Sequence, residues 1–238
     1  MEIPTSSLIR EIIVHNPFFL ITVVAIILLL IIGNMYLSFK TVKIMDKTKV
    51  PYQLVWLIQA IILHTASQIL LGIYLYNGFG RIYINYIALL AQVYYLLFFT
   101  KFRIRDERNH RKIIILFLHL YICFVIYYIF DDAYAIRNPQ TTYIFMLSWV
   151  KAFRPIILLA CPGISCVYLI VTILKNNYNK TVKREKIVVL FTTIFLIISI
   201  MDTRNFPLYF IIYQILSLES NRLLIKNVIH DKGRFLDE

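Results

Sequence analysis

The chain has 238 residues, of which 60% are apolar or aromatic and only 16% charged, a balance that no water-facing globular surface accommodates. It reads as an integral membrane protein, and with loops this short there is no room for a separate aqueous catalytic domain. A net charge of +12 would raise nucleic-acid binding in a soluble chain, but its placement along this sequence follows membrane topology instead.

Seven apolar runs follow one another, each bounded by charge or by turn residues: Pro17–Phe39, Tyr52–Tyr76, Ile82–Thr100, Ile113–Phe130, Pro155–Leu174, Ile187–Met201 and Phe206–Leu218. A helix rising ~1.5 Å per residue needs about 20 apolar residues to cross ~30 Å of hydrocarbon, and the first five runs are expected to qualify outright. The last two are short. They must borrow flanking residues, Thr203 to Asn205 on one side and Glu219 to Arg222 on the other, or thin the bilayer locally. The first run is too long for a signal-peptide core, and Gly33-Asn34-Met35-Tyr36 offers no small-x-small cleavage site, so it is expected to remain as a helix.

Polar residues inside these runs carry the functional candidates, because ionisable and amide groups in a bilayer are costly. In the second run His64, Ser67 and Gln68 fall at i, i+3 and i+4 and share one stripe, which Gln59 does not join. In the third, Asn85, Ala88, Gln92 and Tyr95 form a second stripe whose one small residue lets another helix approach closely. Together the two stripes can line a polar cleft that binds a ligand, or they can serve as hydrogen-bonded packing between helices.

An outer rim is the second candidate. Asp131 and Asp132 end the fourth run, Lys151 and Arg154 precede the fifth, and Asp202 and Arg204 close the turn between the sixth and seventh. Mixed charges with Tyr134, Tyr143 and Trp149 nearby can grip a zwitterion, a peptide or a lipid headgroup, or can simply pair and anchor at the interface. The stretch Tyr143–Val150 is apolar enough to fold back as a lid. In the fifth run Pro162 removes the hydrogen bond to the Leu158 carbonyl and Gly163 lowers resistance to bending, so a kink is expected, either a hinge or a static bend.

Orientation follows from Lys and Arg. The first, third and fifth connections and the tail hold nineteen of them, against six on the opposite side: Arg10, Arg81, Arg137, Lys151, Arg154 and Arg204. Basic segments stay in the cytoplasm, so the expected fold is an all-α, polytopic bundle of seven transmembrane helices with its N-terminus outside and C-terminus inside. Residues 1–218 form the bundle and 219–238 a cytoplasmic juxtamembrane helix or linker. Frequent Ile, Lys, Asn and Tyr together with short loops suit a bacterial inner membrane. Anionic lipid accounts for the basic balance, and no direct nucleic-acid binding is expected.

Several sharper chemistries find no support. The five histidines contain no HxxxH or HExxH spacing, and no cofactor or metal is implied. A retinal protein would need a lysine in Phe206–Leu218, which has none. Asp106-Glu107-Arg108 resembles a motif of G-protein-coupled receptors but lies beyond the helix end. Cys123, Cys161 and Cys166 all fall in apolar runs and read as free packing thiols. No catalytic constellation emerges.

After the seventh run, Leu218, Ile225 and Ile229 form a sparse apolar stripe of the kind that pairs with another helix, so this output helix is expected to meet a second copy or a cytoplasmic protein. A compact N-out bundle, a final run beginning Phe206-Pro207-Leu208-Tyr209-Phe210, and a juxtamembrane helix followed by Phe235-Leu236-Asp237-Glu238 resembles the sensor half of bacterial membrane-bound LuxR-type regulators and of seven-helix sensor kinases. The resemblance implies a membrane-embedded sensor that passes a signal from the outer face or the bilayer to an output domain. Here the sequence stops where that domain would begin, so output is expected through a missing half or a separate partner. The competing expectations are a small transporter similar to the SWEET and PQ-loop carriers, against which stands the lack of a repeat between the first and last three runs, and an accessory membrane subunit.

Overall fold

The computed structural model describes residues 8–45, 51–78, 80–103, 108–137, 154–175 and 180–230. Among these the chain is all-α: α1 Leu8–His15, α2 Pro17–Met45, α3 Pro51–Asn77, α4 Arg81–Arg103, α5 Arg108–Arg137, α6 Arg154–Lys175, α7 Lys180–Met201 and α8 Phe206–His230. Each of the seven apolar runs lies within one of the helices α2 to α8. Five helices, α2 to α6, are long and apolar enough to cross a membrane, which marks an integral membrane protein. Helical backbone is the form such runs take in hydrocarbon, where every N–H and C=O must be satisfied within the segment.

The helices sort by how much of their surface the bundle covers. On α2 only one stripe is buried, running Ile27, Leu30, Asn34, Leu37, Thr41, Ile44, while Ile21, Leu29, Ile32 and Phe39 project outward. Outward-facing Leu116, Leu120 and Phe130 on α5 and Ile156, Val167 and Leu174 on α6 extend the same apolar exterior. Such a surface suits a hydrocarbon solvent and would aggregate in water. The centre is α4, whose Ile84, Ala88, Ala91 and Leu97 are fully buried. It packs on α3, α5 and α7, while α8 is enclosed by α2, α3 and α7.

Short connections make sequential helices antiparallel. Between α3 and α4 the chain turns at Gly78 (φ 78°) and Gly80 (φ 93°), left-handed values that favour glycine. Gly78 N donates to the Tyr74 carbonyl at 2.8 Å, closing the C-terminus of α3. The short helix α1, absent from the sequence expectations, finishes that cap. Arg10 Nε donates to the Tyr74 carbonyl at 3.1 Å and Nη2 to that of Tyr76 at 3.2 Å. In the same way Arg81 Nη2 donates to the Ile200 carbonyl at 3.2 Å at the end of α7. Two of the six cations counted on the sparsely charged side are therefore occupied with the negative ends of helices.

The expected output stripe needs correction. Helix α8 runs unbroken through the 218/219 boundary to His230, and Ile225 is only 1% exposed, packed with Leu224 and Val228 into one cluster with Ile44, Leu54 and Val189. Leu218 and Ile229 are half-buried against the same cluster. The stripe faces inward because α2 and α7 extend past the ends of their apolar runs and, with α3, enclose it. Chemical accessibility should follow this burial. In a background lacking the native cysteines, Lys226→Cys should react readily with an aqueous maleimide and Ile225→Cys should resist it until the protein is unfolded. Faster reaction at Ile225 would show that this end of α8 leaves the bundle.

Candidate functional site

The second run's polar stripe is built as its spacing implies, with His64, Ser67 and Gln68 all buried on one face of α3. The face it meets belongs to α8. Gln68 Nε2 donates to Gln214 Oε1 at 3.0 Å, Gln214 Nε2 donates to Ser67 Oγ at 2.7 Å, and the Ser67 hydroxyl donates to the His64 carbonyl at 2.8 Å. Beside this chain the Tyr213 hydroxyl donates to the Ala88 carbonyl of α4 at 3.2 Å and lies 3.3 Å from His64 Nδ1. A proton on Nδ1 lets both contacts form. The small residue of the third run is thus where α8 reaches α4.

Gln92 does not join this group. Its Nε2 donates to Thr193 Oγ1 on α7 at 3.0 Å, and the Thr193 hydroxyl in turn donates to the Val189 carbonyl at 2.8 Å. Tyr95 is buried and stacks on Phe99 with ring centroids 6.2 Å apart. The two stripes therefore form no common cleft between α3 and α4; one locks onto α8 and the other onto α7. A helix periodicity says which residues share a face, not which helix covers it.

Sequence reasoning missed the partners, above all the polar column of α8. Gln214, Ser217 and Asn221, at i, i+3 and i+7, are each buried, and Ser220 is buried beside them. Readable in the sequence, this stripe was cut by ending the apolar run at Leu218. Further along, Asn227 Nδ2 donates to the buried carboxylate of Glu185 on α7. Both amide atoms of Asn221, both of Asn34 on α2, and Oε1 of Gln68 find no hydrogen-bond partner among the described residues. Asn34 and Asn221 lie within one helical turn of the point where α2 meets α8, at which a Cβ on Gly33 would sit 3.0 Å from the Leu218 side chain. Unsatisfied buried amides cost about 1–3 kcal/mol each, so Asn34 and Asn221 stand out as candidate contact groups in the α2–α8 seam.

Of the charges assigned to the rim, Asp132, Arg154 and Asp202 are used internally. Asp132 pairs with Arg154 and accepts the Tyr86 hydroxyl at 2.7 Å, while the Arg154 guanidinium lies over the rings of Tyr86 and Tyr128 at 5.4 and 5.2 Å. Asp202 organises the turn into α8: Oδ1 accepts the backbone N–H of Arg204 at 2.9 Å and of Asn205 at 3.2 Å, and Oδ2 accepts Asn205 Nδ2 at 2.9 Å. Those bonds, Asn205's side chain foremost, hold the Asp202 carboxyl below its ordinary range. Asp131 is half-buried and the Arg204 side chain exposed. Lys151, Tyr143 and Trp149, with the Tyr143–Val150 lid, fall outside the described residues.

The proline of α6 has a specific answer. Pro162 is buried within a continuous helix, and the Leu158 carbonyl that it releases accepts the Tyr121 hydroxyl of α5 at 2.5 Å. With that carbonyl held from the next helix, any bend at Pro162 is expected to be static. Tyr121→Phe should therefore lower the thermal stability of the purified bundle by about 1 to 2 kcal/mol. It should also speed amide exchange around Cys161–Gly163; unchanged exchange there would show that the hydroxyl is dispensable.

Among the described residues no three His, Cys, Asp or Glu side chains gather as metal ligands would, and the three cysteines are free. Searches of protein-family models, curated proteins and solved structures find no match to this chain.

Proposed function

We propose that this protein is a seven-span sensor or receptor-like module of a bacterial inner membrane, N-terminus outside and C-terminus inside. In this reading a polar signal reaches the buried column of α8 from the outer face or from the bilayer, and the segment after His230 passes the response to a second copy or a cytoplasmic output protein. One observation carries the reading. Helix α8 holds the polar contacts to α3 and α4 through Tyr213 and Gln214, and the same helix continues unbroken to His230. A guest that competes for the Gln214 amide would favour a different seating of α8, and only by as much as it prefers that seating. His64, Ser67 and Gln68 would act as the near wall of the site, with Asn34 and Asn221 as the free amides.

The test needs no knowledge of the signal. Spin labels on cysteines replacing Lys43 and Lys226, both exposed, report where the basic end of α8 sits relative to α2. Gln214→Leu should shift that distance by about 1.5 Å or more, the rise of one helical residue. An unchanged distance distribution would separate the polar column from the output end and sink the sensor reading. Topology is checked independently: a cytoplasm-dependent reporter should be active when fused after Lys112, Lys183 or Glu238 and silent after Gly78 or Pro139.

The orphaned amides of Asn34 and Asn221 favour a second reading, a small transporter whose polar solute is solvated there. Removing residues 231–238 discriminates, since it spares the buried part of α8. Uptake into liposomes would survive the deletion, whereas a sensor would lose its output.

A further inference from the structure

A cavity of about 280 Å³ opens between α4, α5 and α6. Leu96 and Phe99 of α4 form its floor, Phe117 and Leu118 of α5 one wall, Ile164 and Leu169 of α6 the other. Such a volume is far beyond the packing voids of a folded interior, where a water occupies ~30 Å³ of liquid. Water is a poor occupant, because the lining is almost wholly hydrocarbon. Its Ser165 hydroxyl already donates to the Cys161 carbonyl at 2.8 Å.

The shape of the opening follows from how α5 and α6 are joined. Near the Asp132 end they are pinned twice, by the ion pair of Asp132 with Arg154 and by the Tyr121 hydroxyl on the Leu158 carbonyl. The cavity begins one turn further along both helices, at Leu118 and Cys161, and continues toward Ile114 and Thr100. Its lips, Phe117, Ile164 and Tyr168, are exposed on the same apolar exterior that α5 and α6 turn to the surrounding medium. At the end toward which the crevice runs, α4 finishes on Lys101 and Arg103, α5 starts with Arg108, Arg111 and Lys112, and α6 finishes on Lys175.

We infer that the crevice between α5 and α6 is a binding site for one anionic phospholipid, its acyl chain lying along Phe117 and Ile164 and its phosphate against the basic collar. Hydrocarbon walls recognise the chain, and the concentration of Lys and Arg at these three helix ends, with Lys112 exposed, selects a negative head over a zwitterionic one. The site is independent of the polar column of α8, and the inference stands whether the protein senses or transports.

Native mass spectrometry of the full chain, released from detergent containing equal amounts of phosphatidylglycerol and phosphatidylcholine with identical acyl chains, tests it. One phosphatidylglycerol should survive at collision energies that strip phosphatidylcholine, with at least a tenfold difference in occupancy. Ser165→Phe, which fills the crevice, should reduce that occupancy at least tenfold, while Val167→Phe on the outward face should not. Should the Ser165 variant fail to fold, phosphatidylglycerol carrying a diazirine in its acyl chain decides on the unaltered protein. Crosslinks should map to the peptides bearing Phe117 and Ile164 in preference to the exposed Leu28–Ile32 face of α2. Crosslinks spread evenly over both faces, or phosphatidylglycerol retained equally by the Ser165 variant, would overturn the site. Equal retention of phosphatidylcholine would overturn its anionic character.

Discussion

Replacing Ala88 by phenylalanine should prevent the bundle from assembling. Ala88 is fully buried on α4, the helix with least contact with the exterior, and the Tyr213 hydroxyl closes onto its backbone carbonyl at 3.2 Å. A phenyl ring there has nowhere to go except into the space of α8, and overpacking a dense core costs about 1 to 3 kcal/mol or more. The displacement would also pull Tyr213 off the carbonyl and break the chain from Gln214 to Ser67, adding lost hydrogen bonds to steric strain. The expected result is loss of the monodisperse peak when the protein is extracted in mild detergent. Ile82→Phe, an exposed site on the same helix, should behave like the original protein. Normal extraction of the Ala88 variant would mean that α8 does not approach α4 here.

Gln68→Leu should lower the stability of the bundle, and its cost should depend on Gln214. Removing the Gln68 amide deprives Gln214 Oε1 of its donor, leaving a buried acceptor in an apolar setting. Each single change, Gln68→Leu or Gln214→Leu, is expected to lower stability by about 1 to 2 kcal/mol. The double variant replaces both partners by hydrocarbon and should cost less than the sum, leaving a coupling of about 0.6 to 1.7 kcal/mol. Thermal unfolding of the four proteins in one detergent measures it. Strictly additive costs would show that the two amides do not bond, and would remove the link from α3 to α8 on which the functional proposal depends.

Helical content was legible in the sequence because hydrocarbon forces a run of apolar residues to satisfy its own backbone. What hydropathy does not distinguish is lipid from protein. Glu185 and Lys186 look like the solvated start of a helix, yet both are buried, since neighbouring helices extend past the apolar zone. For the same reason the sequence pattern of Leu218, Ile225 and Ile229 points to a partner outside the bundle, whereas Ile225 is buried within it. Helix α1 escaped notice because eight residues carrying Arg10 and Glu11 give too short a pattern. The polar stripe of α3 was visible in the spacing of His64, Ser67 and Gln68, but its partner Gln214 lies 146 residues away from Gln68, and no local pattern encodes that pairing. Likewise Pro162 announced a freed carbonyl at Leu158, while nothing nearby pointed to Tyr121 as the group that takes it.

The dependence of α3 and α4 on α8 has a consequence for biosynthesis. Ribosomes release the helices in order, so His64, Gln68 and the Ala88 carbonyl enter the bilayer long before Tyr213 and Gln214 exist. During that interval their polar groups must be tolerated by the insertion machinery, by water or by transient partners, and α3 is committed to the membrane with its permanent contacts unmade. Nascent chains arrested before Phe206 should accordingly be held at the translocon or degraded, and quality control of this protein would act on whether α8 has arrived.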